Sequence, residues 1–132
     1  MCPHSDLPDP PELYDECRVV RPRGELDLTT APAFARTLAE ARAGAGRLFL
    51  IVDLSDVTFM DCSALDALCA AWADCRARHG WVRVVRGPAS AWMVLGASGL
   101  LGRFPRYATA QDAWHGTRSR PGWERGEPEA TA

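Results

Sequence analysis

The chain has 132 residues, 47% of them hydrophobic and 24% charged, with a formal net charge of -2. That length suits one domain with a single real core, and the near-neutral balance excludes both a broad basic field for nucleic acid and an acidic tail. Lysine is absent, so every basic residue apart from histidine is arginine; beside so much Ala, Gly and Pro, this reads as compositional bias rather than function.

The first 16 residues carry prolines and acids and lack the basic start and apolar stretch of a signal peptide. The longest charge-free stretch, Gly87 to Gly102, is broken by Gly, Pro and Ser and is short for a bilayer. The expectation is a cytoplasmic protein with no membrane contact. The five cysteines (Cys2, Cys17, Cys62, Cys69 and Cys75) are scattered, odd in number and without a CxxC pair, which argues against a disulfide framework and against zinc. His4, His79 and His115 show no ligand spacing. No metal and no cofactor is expected.

Residues 1–13 read as a flexible leader, because Pro8, Pro10 and Pro11 obstruct regular hydrogen bonding. A strand pair is expected over Cys17 to Val20 and Arg23 to Asp27. Thr29 or Thr30 then offers an N-cap oxygen and Pro32 suits a first helical turn. Phe34, Leu38, Ala41 and Ala45 recur at helical spacing up to Gly44 and Gly46. Leu48 to Val52 is a continuous apolar run, expected as a central strand covered on both faces.

Asp53 to Asp56 is turn-rich. A second helix is expected after Phe59-Met60-Asp61, with Leu65, Leu68, Cys69, Trp72 and Cys75 as its apolar stripe, Asp66, Asp74 and Arg78 facing away, and Gly80 closing it. Trp81 to Arg86 reads as a strand, and Ser90 as the cap of a short helix carrying Trp92, Met93 and Leu95. Leu100, Leu101 and Phe104 form a hydrophobic clamp before a short edge strand at Arg106-Tyr107. Thr109 starts a last helix through Trp114, and residues 116–132 read as a disordered tail, leaving the domain at 14–115. Trp72, Trp92 and Trp114 are expected as core or rim packing. The alternation of strands and helices implies an α/β fold, a mixed β-sheet with helices packed against it.

Three stretches carry a resemblance. Arg23-Gly24-Glu25-Leu26-Asp27-Leu28-Thr29-Thr30 runs as a strand end into a helix. Val52-Asp53-Leu54-Ser55-Asp56-Val57-Thr58-Phe59-Met60-Asp61-Cys62-Ser63-Ala64-Leu65 is the longest, and Gly99-Leu100-Leu101-Gly102-Arg103-Phe104 ends the set. In this order they resemble the STAS domain of anti-sigma factor antagonists, whose D-L-S-x-V-x-F-M-D-S-S-G-L signature is phosphorylated on the second serine of its S-S pair. The resemblance implies a STAS-like single domain and places the phosphoacceptor at Ser63. It also implies that Asp27, Thr29, Asp61, Cys62, Ala64 and Leu65 meet a partner. That partner would be an anti-sigma factor with serine kinase activity, a phosphatase would reset the switch, and no nucleic acid would be touched directly. Cys62 stands where the family has Ser or Thr, and Ala64 where it has Gly; the added Cβ is expected near the partner.

For Ser63 the common alternative is a helix start, with Ser63 and Asp66 in a capping box; for Asp27 and Asp61 it is a turn or cap. A helix-start cysteine such as Cys62 could serve as a nucleophile, but no base stands beside it in sequence and His79 falls at the far end of the same helix, so no enzyme is expected. The rival reading is a STAS accessory or scaffold module of a membrane transport complex or sensory assembly.

Overall fold

A computed structural model describes residues 17–116; the expected leader and, but for Gly116, the expected tail lie outside them. In chain order the elements are β1 (Cys17–Val20), β2 (Gly24–Leu26), α1 (Ala31–Ala41), β3 (Phe49–Asp53), β4 (Val57–Met60), α2 (Leu65–Ala77), β5 (Trp81–Val85), α3 (Ala89–Ala97), β6 (Arg106–Tyr107) and α4 (Ala110–His115), with a 3₁₀ turn at Cys62–Ala64 between β4 and α2.

The α/β class with helices on a sheet is as expected, but the strand pairing is not. β1, β3, β5 and β6 form one sheet in that order, and β2 pairs with β4. All four pairings among the described residues are parallel. The reason lies in the connections: α1 and α2 carry the chain back over the sheet before β3 and β5, which lays the strands parallel. β1 and β2 therefore do not pair with each other. They run in succession beside β3 and β4, and Arg21, between β1 and β2, reaches Asp53 at the end of β3 (Nε to Oδ2, 3.1 Å).

β3 is buried along its whole length, as its apolar run implies. Leu50 and Val52 enter the main core with Leu38, Leu68, Val84, Leu95 and Phe104. Phe49 and Ile51 point the other way, into a smaller cluster with Val85, Tyr107 and Trp114. Phe49, Trp81 and Trp114 pack there as tilted rings, 5.0–6.3 Å between centroids.

Several side chains do different work from that expected. Asp74 and Arg78 do not face away from α1: Asp74 pairs with Arg42 at 3.0 Å, and Arg78 donates to the carbonyls of Arg42 and Gly46. Helix α1 ends at Ala41, so Ala45 lies beyond it and is exposed. Helix α2 ends with His79 in the left-handed conformation (φ 64°), while the N–H groups of His79 and Gly80 return to Arg76 and Cys75; this is a Schellman closure with histidine where glycine is usual. Gly80 is needed for another reason, since a Cβ on it would lie 1.7 Å from the Leu48 carbonyl oxygen. Of the expected clamp, Phe104 is fully buried and Leu100 packs on the core, but Leu101 is exposed. Thr109 caps α4 as expected, accepting from the Asp112 N–H at 3.0 Å. No described helix is long and apolar enough to cross a membrane.

Candidate functional site

β4 ends at Met60, and the chain turns at once through a single 3₁₀ turn into α2. Asp61 makes that turn. Its carboxylate accepts the Ser63 backbone N–H at 2.9 Å and also the Ser63 hydroxyl. Its carbonyl accepts from the Ala64 N–H, and its own N–H donates to the Leu26 carbonyl at 3.0 Å. That last bond extends the β2–β4 ladder by one residue and sets the Asp27 loop beside the Ser63 turn.

Asp27 organises the neighbouring loop in a similar way. One carboxylate oxygen accepts the Thr29 N–H (3.0 Å), the Thr29 hydroxyl (2.8 Å) and the Thr30 N–H (3.2 Å). The Thr29 hydroxyl, more than any other group, holds the Asp27 carboxyl below the usual carboxylate range; the backbone N–H groups of Thr30 and Thr29 add to it. Neither threonine caps α1 with its side chain. The Thr30 hydroxyl is spent elsewhere, donating to the Glu25 carbonyl and accepting the Asp27 N–H.

The structure thus brings Asp27, Thr29, Asp61, Cys62 and Ser63 to one place. Cys62 and Thr29 are exposed, and Asp27, Asp61 and Ser63 half-buried. Ala64 is the correction: it is fully buried in the main core, so its Cβ faces the interior and not a partner. Leu65 packs partly against the same core. The capping box does not form either, because Ser63 gives its hydroxyl to Asp61 and lies ahead of the helix, whose N-cap position is Ala64. An anion cradle of unpaired N–H groups is also narrower than the helix-start position implies, since those of Ser63 and Ala64 are already taken.

The same Asp-x-Ser turn recurs at Asp53 and Ser55, where Asp53 accepts the Ser55 N–H at 2.9 Å together with its hydroxyl. The two differ in charge. Asp53 is buried and paired with Arg21, whereas Asp61 has no cationic partner among the described residues.

Three exposed apolar side chains were named in the sequence but not singled out for the site. Leu28 is 77% exposed, Phe59 43% and Met93 71%. Leu28 and Phe59 each lie two residues from the Leu26–Asp61 bond. Met93 rides on α3, which is tied to β4 because the Ser90 hydroxyl accepts the Met60 N–H at 3.0 Å. Ser90 is therefore a tether inside α3 rather than its cap. Period alone could not reveal the exposure of these residues, though an apolar residue directly after the Asp27 turn is a signal worth reading.

Among the described residues no group of three His, Cys, Asp or Glu side chains could hold a metal ion, and Cys62, Cys69 and Cys75 are free thiols; Cys2 lies outside them. His79, at the far end of α2, is not near Cys62.

Comparison with known proteins finds the STAS domain model matching residues 11–113. No curated protein matches. Among solved structures, an anti-sigma factor antagonist from Mycobacterium paratuberculosis is 30% identical, with 80% of this chain and 88% of that one covered and a TM-score of 0.67. A putative anti-sigma factor antagonist from Thermotoga maritima, 20% identical over 80% of this chain and 90% of that one, has a TM-score of 0.65. The anti-sigma factor antagonist SpoIIAA in its unphosphorylated form is 23% identical over 74% and 84%, with a TM-score of 0.61; these last two likenesses are of fold. With the parallel strand ladder, the Asp61 turn and the match over 11–113 in place, the chain belongs to the STAS domain family, and its structural neighbours are anti-sigma factor antagonists.

Proposed function

We propose that this protein is an anti-sigma factor antagonist that binds a kinase-fold anti-sigma factor, so releasing a sigma factor, and is switched off when that kinase phosphorylates Ser63. It performs no chemistry itself; it is ligand and substrate in turn, and a phosphatase resets it. The observation that carries this reading is the half-buried Ser63 turn, oriented by Asp61, with the exposed apolar Leu28 and Phe59 each two residues from the Leu26–Asp61 bond beside it. Exposed apolar side chains beside a polar turn suit a protein interface, where apolar anchors supply energy and polar groups supply register.

The off-switch follows from charge. Phosphorylation removes the hydroxyl proton that Ser63 gives to Asp61, and it adds about -1.5 to -2 charge next to a carboxylate with no cation to offset it. The phosphate must swing outward, into the surface where the partner would sit. Repulsion and the cost of desolvating a dianion then oppose docking. Cys62 leaves Ser63 as the only hydroxyl of the turn, so a single site carries the signal.

The test is incubation with a kinase-fold anti-sigma factor and ATP, followed by tandem mass spectrometry. One phosphate on Ser63, absent from Ser63→Ala, is the expected result. A phosphate on another residue, or co-purification with a transporter subunit instead of a kinase-fold protein, would move the chain to the accessory-module reading.

A further inference from the structure

A cleft of about 510 Å³ opens at the other end of α2, between the helix terminus, the start of β5 and the loop that precedes β6; Trp72, Arg76, His79, Trp81, Arg83 and Arg103 line it. Its chemistry is uniform. The guanidinium of Arg76 lies 4.8 Å from the Trp72 ring centroid, and that of Arg103 lies 4.5 Å from the same ring. Arg83 stacks on Trp81 at 3.9 Å and is held by the Ala113 carbonyl at 2.8 Å. Neither Arg76 nor Arg103 has a carboxylate partner among the described residues. Asp74, the nearest acid along α2, is already engaged by Arg42 and Arg78. Two guanidiniums on one indole, with a third fixed nearby, concentrate positive charge on a chain whose net charge is -2. The Trp72 ring holds the Arg76 and Arg103 guanidiniums while leaving their N–H edges available.

We infer that this cleft is a second docking site, for an acidic segment of another protein whose carboxylates bridge Arg76 and Arg103 over Trp72. Arginine forks match carboxylates in bidentate pairs, and Trp and Arg are among the side chains enriched where interfaces draw most of their energy. A compact phosphate is the poorer occupant. The cleft lies at the C-terminal end of α2, where carbonyls rather than N–H groups face outward, so the backbone cradle of a phosphate site is missing. Ser63 lies thirteen residues before Arg76, in the 3₁₀ turn that leads into the same helix, about 20 Å away at roughly 1.5 Å per residue. The site is therefore independent of the Ser63 reading and would remain open in either state of that switch.

The experiment is fluorescence anisotropy of the full chain with a labelled peptide of alternating glutamate and alanine, against its glutamine counterpart, at low ionic strength. The glutamate peptide should bind and the glutamine peptide should not. Arg76→Gln with Arg103→Gln should weaken binding by about tenfold or more, roughly the loss of one charge-assisted bond or better. Arg76→Lys with Arg103→Lys, which keeps the charge and loses the fork, should fall between. Ser63→Ala should bind as the unaltered chain does. Equal binding of the two peptides, full affinity in the Arg76→Gln, Arg103→Gln chain with its circular dichroism unchanged, or tighter binding of pyrophosphate than of the glutamate peptide would each overturn the proposal.

Discussion

Asp61 accepts both the backbone N–H and the hydroxyl of Ser63, so one carboxylate holds the turn and aims the side chain. Removing it should cost stability as well as order. Asp61→Ala should lower the unfolding free energy by about 1 kcal/mol, the usual loss for a capping side chain, while Asp61→Asn, which keeps one acceptor oxygen, should lose less. Urea titration of the three proteins measures this. Equal stability of Asp61→Ala and the unaltered chain would mean that the turn is held by backbone bonds alone.

Asp27 should titrate below the ordinary carboxylate range because the Thr29 hydroxyl and nearby N–H groups favour its charged form. A depressed folded-state value adds stability above the unfolded carboxylate pKa, and that stability is lost as pH falls through the folded-state pKa. Thr29→Val removes the hydroxyl donor at constant shape. Carbon-detected carboxyl titration should show the Asp27 midpoint rising towards 3.8. The stability gap between variant and parent should be present at neutral pH and close in strong acid. Superimposable titration curves would contradict the assignment.

Gly80 is fixed by the Leu48 carbonyl rather than by its own backbone angles. A methyl group there would lie 1.7 Å from that oxygen, which also accepts the Trp81 N–H at 3.2 Å. Gly80→Ala must push β5 away from β3 at its first rung. A loss of at least about 2 kcal/mol is expected, and with it a fall in the thermal midpoint of about 8 °C or more. Calorimetric scanning at an unchanged midpoint would show that the strands can part at no cost.

The thiols should separate by burial. Cys75 lies in the main core, where burial, aided by the neighbouring Asp74, pushes its thiol up to about 11; Cys17 is buried as well, and Cys62 is exposed. Brief alkylation of the folded protein, read by peptide mass spectrometry, should label Cys62 first and leave Cys75 and Cys17 untouched until denaturant is added. Early labelling of Cys75 would mean that α2 opens readily.

Much of the architecture was legible from local chemistry. The apolar run at Leu48 to Val52 announced a strand covered on both faces, and Thr109 announced the start of α4. What stayed hidden depends on partners distant in sequence. Asp74 reaches Arg42 across 32 positions and Ser90 reaches Met60 across 30, so periodicity could assign each side chain a face but not a neighbour. The same holds for β1 and β2, whose succession suggested a pair until β3 and β4 took both. At the site, the motif pointed to Asp27, Asp61 and Ser63 but could not show the hydrogen bonds that join Asp61 to Ser63 and to Leu26, and the burial of Ala64 was hidden because an alanine carries no sign of which way its Cβ points.

The central claim is that a phosphate on Ser63 ends partner binding, and calorimetric titration of a kinase-fold anti-sigma factor with the two forms of this protein tests it most directly. The unmodified chain and Ser63→Ala should bind alike. The Ser63-phosphorylated chain should bind at least about a hundredfold more weakly, as expected when like charges are brought together at an interface. Equal affinities for the phosphorylated and unmodified chains would contradict the account.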